Sequence, residues 1–126
     1  MTRAFGLLLA MACSRFACSQ VMTNVPPPVP NAKPATVQIV TIHGASLVGN
    51  LEGEAVDRDA VIVLPPSYAS SPQRRYPVVY ALHGYSIGAQ QWIHEIHVPQ
   101  TIEGAFAKGS REMIVVLPDS KTAYGG

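Results

Sequence analysis

Tyr76-Pro-Val-Val-Tyr-Ala-Leu-His-Gly-Tyr85 decides how this chain is read. Pro77 to Leu82 is a near-continuous apolar run, which predicts a strand covered on both faces of a parallel sheet. The run ends in His83-Gly84, where glycine lets the backbone turn sharply. Gly84-Tyr85-Ser86-Ile87-Gly88 then reads as G-x-S-x-G, the pattern of a serine nucleophile on a strained strand-to-helix turn. The same five residues admit a second role, a loop that presents a backbone N–H to a developing oxyanion.

The flanking sequence supplies the rest of an α/β pattern. Upstream, Val37 to His43 alternates like a half-exposed strand, and Asp59 to Leu64 predicts a second strand stopped by Pro65-Pro66. Ala45 to Asp57, with Gly49 and Gly53, reads as a loop or hairpin, and Ser67 to Arg75 as a polar connection. Downstream, Ala89 onward can be helical. Pro99 opens a further helix with Ile102, Ala105 and Phe106 on one face and Gly109 past its end. Met113 to Leu117 is another buried strand, closed by Pro118. Two apolar strands flanking a helix predict a βαβ unit.

With 126 residues there is room for one domain at most. A chain 48% hydrophobic and 13% charged is globular in composition. A formal net charge of +1, with no basic run or stripe, excludes a nucleic-acid partner. Arg3 followed by the apolar Ala4 to Ala12 is a targeting segment too short to span a bilayer. Cleavage before Gln20 makes residues 1–19 a signal peptide. The rival is a lipoprotein-like Ala10-Met11-Ala12-Cys13 box, with a lipid anchor at Cys13. The mature protein is then secreted or periplasmic in the first case and held at the membrane in the second. Both cysteines fall in this segment, so the folded part has neither a disulfide nor a thiol nucleophile. Residues 20–36 carry five prolines between Pro26 and Pro34 and predict a polyproline tether, leaving 37–126 as the domain.

Val63-Leu64-Pro65-Pro66-Ser67-Tyr68, the Arg74 to Tyr85 segment, Trp92 and Arg111 to Asp119 together resemble the putative esterase family. That family includes S-formylglutathione hydrolases, feruloyl esterases and the antigen 85 mycolyltransferases. The resemblance covers roughly Gly44 to Gly126. It implies the N-terminal portion of an α/β-hydrolase fold, three layers around a mixed to parallel sheet, and incomplete. It implies a serine esterase acting on small-molecule or carbohydrate-linked esters, with no cofactor and no metal. By the same resemblance the Tyr85 N–H points into the oxyanion hole and Gly84 lets the backbone approach the substrate oxygen. His83 supports that loop by hydrogen bonding and is not the triad histidine. Trp92, Asp119 and Tyr124 are implied to line the substrate pocket.

Ser86 stays a candidate nucleophile, but chain order counts against it and favours the oxyanion-loop reading. No earlier loop supplies the second oxyanion donor; downstream, Glu95 is followed only by His97, two residues on, a spacing that cannot place a base against Ser86 with an acid behind it, and no histidine follows Asp119. In the family the nucleophile, acid and histidine all lie C-terminal to where this sequence ends. The expectation is an N-terminal fragment, inactive as given; the alternative is a non-catalytic exported binding module on the same scaffold. His94 and His97, spaced to share a helical face, form a weak zinc motif with no third ligand recommended by spacing. Arg74-Arg75 reads as a solvated loop end.

Overall fold

The computed structural model describes residues 24–85, 87–122 and 124. The signal and lipid-anchor readings, with Cys13, therefore lie outside the described residues, as does Ser86. Apolar runs became strands wherever a proline stops them. β1 is Thr36–His43, β2 Asp57–Leu64, β3 Val78–Tyr80 and β4 Ile114–Pro118; α1, Ala89–His94, and α2, Val98–Ala107, lie between β3 and β4. A single 3-10 turn, Ala45–Leu47, sits in the hairpin between β1 and β2.

The sheet order is β1-β2-β4-β3. β1 and β2 pair antiparallel from Thr36↔Leu64 to His43↔Asp57, β2 and β4 pair antiparallel through Val61↔Leu117, and β3 and β4 are parallel through Val79↔Val115. The sheet is thus mixed, and β3-α-β4 is the βαβ unit that the apolar pattern predicts. Val61 and Val63 on β2 oppose Leu117 and Val115 on β4, so their side chains share one face. With Ala89 of α1 they form the buried core, against which Trp92, Ile93, Val98, Ile102 and Met113 pack. Burying one Val or Leu side chain there contributes about 1.5–3 kcal/mol.

α2 starts with a proline in its first turn, where the missing N–H costs nothing, and Gly109 takes φ +94° just past its end. Against α2 lies the proline segment. The Gln100 amide donates to the Pro26 carbonyl (3.0 Å), the Ala35 N–H donates to Glu103 Oε1 (2.8 Å), and Val29 rests on Gly104. The segment expected as a free tether is seated on the domain. It turns once, at Pro30–Asn31, where the Ala32 N–H donates to Val29 O (3.2 Å) and Asn31 takes φ 61°, and side chains of α2 supply its polar partners.

Two burial expectations need correction. Val78, Val79 and Tyr80 are 48%, 42% and 70% exposed, although Pro77 to Leu82 predicts a strand covered on both faces. β3 is the sheet edge. Ile114 N–H to Pro77 O and Ala81 N–H to Val116 O tie one side to β4, and among the described residues no strand pairs with the other side. β1 is exposed along its whole length rather than on one face. Alternation fixes which residues share a face; it does not supply an element to cover that face.

Candidate active site

β3 and β4 are parallel, so their C-terminal ends lie together, and the loops that leave a sheet at such an end are where α/β folds bind ligands. The last ladder bond of β3 is Ala81 N–H to Val116 O. Beyond it the chain runs free of the sheet through Leu82, His83, Gly84 and Tyr85. His83 holds this loop. Its side chain is 2% exposed, with Nδ1 3.0 Å from the Gly84 carbonyl and Nε2 2.9 Å from the Ser120 backbone N–H. An amide N–H can only donate, so Nε2 is an acceptor and the proton sits on Nδ1, which donates to Gly84 O. The Ser120 hydroxyl is also within reach of Nε2, at 3.1 Å.

Asp119 completes the arrangement from the end of β4. Its own N–H donates to Asp59 O (2.8 Å), its Oδ1 accepts the Lys121 N–H (3.0 Å), and the same oxygen lies 3.5 Å from His83 Nε2. A Cβ placed on Gly88 would lie 3.5 Å from both carboxylate oxygens, so Asp119 rests on the chain just before α1. Gly88 begins that helix, with its N–H bonded to the Gln91 side chain (3.0 Å). The expected loop support by His83 thus has named partners.

Gly84 needs a different account from the sharp turn expected of it. Its φ is not in the left-handed region, and a Cβ added there meets nothing within 4 Å. What glycine leaves is open space beside the backbone, where a substrate oxygen can approach. The Tyr85 side chain is 77% exposed, and among the described residues no acceptor pairs with its N–H. Ser86 lies outside the described residues. Trp92 packs on the core cluster, and among the described residues its buried Nε1 has no partner. Tyr124 is 73% exposed, its N–H bonded to Thr122 Oγ1 at 3.2 Å. His83 and Asp119 are therefore brought together with the Gly84–Tyr85 peptide, whereas among the described residues no hydrogen bond ties Trp92 or Tyr124 to it. His94 ends α1 and His97 precedes α2 with φ 54°, so the two do not share a helical face.

The profile of the family described as "Putative esterase" matches residues 55–124, more than half of the chain. This chain belongs to that esterase family. Among solved structures, the chain is similar to a ferulic acid esterase at 27% identity and TM-score 0.59, over 70% of this chain and 32% of that one. It is also similar in fold to a CE1 ferulic acid esterase from Anaeromyces mucronatus, solved in complex with ferulic acid. That match has 24% identity and TM-score 0.57, over 76% of this chain and 32% of the other. The chain spans about a third of the length of these structures. Its mixed sheet and helices are part of an α/β-hydrolase fold. Among the described residues no helix is long and apolar enough to cross a membrane.

Sequence reasoning missed Ser120. The signal was available: Pro118 ends a strand, and Asp119 after it favours a turn in which the carboxylate accepts the N–H two residues on. A second polar cluster has no part in the site. Ser67 Oγ bonds Tyr76 OH (2.7 Å) and the Glu112 carboxylate, and Arg74 bonds Glu112 (2.9 Å) while lying 4.8 Å over the Tyr76 ring. It joins the end of β2 to the start of β4, the opposite end of the sheet. Arg74 is solvated, as a loop end is expected to be, and also pairs with Glu112.

Proposed function

We propose that this chain is the N-terminal part of an exported serine carboxylic-ester hydrolase and that the Tyr85 N–H is one of its oxyanion donors. The observation that carries the reading is the loop His83-Gly84-Tyr85 at the C-terminal end of β3, where among the described residues the Tyr85 N–H has no acceptor and space is open beside Gly84. Membership of the esterase family and the likeness to ferulic acid esterases support ester chemistry. A feruloyl-type ester, free or linked to carbohydrate, is the first substrate to try.

Ser86 is read as a loop serine, and the nucleophile, acid and base are assigned to chain outside this sequence. The histidines support this. Both ring nitrogens of His83 are engaged, so it cannot take a proton from Ser86. His43, whose Nδ1 lies 2.7 Å from Asp57, has the form of a base oriented by a carboxylate. It stands on β1, three strand spacings from β3, or about 14 Å at the usual interstrand distance. A base must come within hydrogen-bond reach of its nucleophile.

The test is hydrolysis of p-nitrophenyl acetate and methyl ferulate by the 126-residue chain, with Ser86→Ala beside it. The expected result is no turnover above the buffer rate for either protein. Turnover that disappears in Ser86→Ala overturns the assignment of Ser86.

A further inference from the structure

We infer that Asp119 and Ser120, at the end of β4, are positioning residues that aim the Tyr85 N–H through His83, rather than groups that bind substrate. The inference rests on the oxyanion reading of Tyr85. The Gly84 carbonyl and the Tyr85 N–H are the two ends of one planar trans peptide and point in opposite directions. Whatever grips that carbonyl sets the direction of the N–H. His83 Nδ1–H grips it, at 3.0 Å. The His83 ring is in turn fixed by the Ser120 N–H on Nε2, at 2.9 Å. Ser120 is presented for this by the turn that Asp119 closes on the Lys121 N–H, at 3.0 Å. The same carboxylate rests on Gly88, beyond the other end of the loop. Residues 83–88 are thus held at both ends from β4. The donor at Nδ1 also polarises the peptide, which strengthens the N–H opposite it.

The contacts already made by these residues favour positioning over substrate binding. The Asp119 oxygen that faces His83 already accepts an N–H, and the Ser120 N–H is turned inward onto a ring that is 2% exposed.

The experiment is NMR on the 15N-labelled 126-residue chain. The unmodified protein is expected to show His83 as the neutral Nδ1–H tautomer, with a scalar coupling across the hydrogen bond from Ser120 N to His83 Nε2. An Nε2–H tautomer, or absence of that coupling, overturns the inference. Asp119→Ala is expected to speed exchange of the Ser120 amide about fivefold and to shift the Tyr85 amide resonance, the size of one lost hydrogen bond. Asp119→Asn keeps the turn acceptor and is expected to restore the Ser120 exchange rate to within about twofold. An unchanged Ser120 rate in Asp119→Ala counts against the clip. None of these measurements involves ester turnover. If the oxyanion reading fails, the coupling persists, and a missing coupling leaves the family's ester chemistry untouched.

Discussion

Gly104 lies inside α2, where glycine is a poor choice, and Val29 explains it. A Cβ at position 104 would sit 2.9 Å from Val29 Cγ2, closer than such atoms approach in proteins. Val29 cannot swing aside freely, because the proline segment is held on both sides of it, at Pro26 by Gln100 and at Ala35 by Glu103. Gly104→Ala therefore sets two effects against each other. Alanine stabilises a helix interior by about 1 kcal/mol relative to glycine, and overpacking costs about 1–3 kcal/mol. The substitution is expected to destabilise the protein by about 1 kcal/mol. In a Val29→Ala background the clashing methyl is gone and the next nearest atom, Val29 Cβ, is at 3.7 Å, an ordinary contact. There the same change should stabilise by about 1 kcal/mol. The sign of one substitution thus depends on a residue 75 positions away in sequence, and the coupling is about 2 kcal/mol. Urea unfolding of the four proteins, followed by circular dichroism at 222 nm, measures it. A rise in midpoint for Gly104→Ala with Val29 in place refutes the seating of the proline segment on α2.

Leu117 is 1% exposed and Ile42 is 55% exposed. Leu117→Ala is therefore expected to cost about 2–5 kcal/mol and Ile42→Ala less than about 0.5, as read by urea midpoints. Glu112→Ala removes the acceptor shared by Ser67 and Arg74. Arg74 is 45% exposed and its ion pair is screened, so the loss should be about 1–2 kcal/mol, nearly all from the bond to Ser67. A salt-sensitive loss, measured at low and high sodium chloride, would contradict that division. In a catalytically competent esterase containing this segment, Tyr85→Ala keeps the backbone N–H and should leave kcat within about threefold, whereas Tyr85→Pro removes it and should lower kcat about 100-fold or more. Equal losses in the two variants, measured on methyl ferulate, would mean that the side chain and not the amide acts. Tyr80 and Leu82, on and just beyond the open edge strand, are 70% and 67% exposed. Tyr80→Lys with Leu82→Lys should reduce self-association of the isolated chain in light scattering, because charge on an edge discourages pairing.

How far the fold was legible follows from what each signal specifies. Proline and glycine marked ends that hold in the structure: Pro65 after β2, Pro118 at the last position of β4, Pro99 in the first turn of α2 and Gly109 past its end. These residues act locally through their own φ and N–H, so a single sequence carries their meaning. Burial of β3 was not legible in the same way. Its apolar run states what the strand can tolerate on both faces, and among the described residues nothing stands over Val78, Val79 or Tyr80. The proline segment misled for a related reason. Composition indicates an extended conformation, but seating it on α2 depends on Gln100 and Glu103, 74 and 68 positions away from their partners.

The site was legible in the residues that make the turn and obscure in those that hold it. His83-Gly84-Tyr85 announces itself because a strand ends there. Ser120 contributes a backbone N–H, and a backbone group has no sequence signature beyond the turn that aims it. On the reading proposed above, this is also why G-x-S-x-G is ambiguous as a bare pattern. The pattern encodes a glycine-flanked serine after a strand, whereas an elbow further requires a free histidine beside the serine. Here the adjacent histidine has spent one nitrogen on the Gly84 carbonyl and the other on the Ser120 amide. A ring used twice for structure cannot relay a proton, and on the reading proposed above the loop's contribution is the N–H at Tyr85, pointed by the side chains around it.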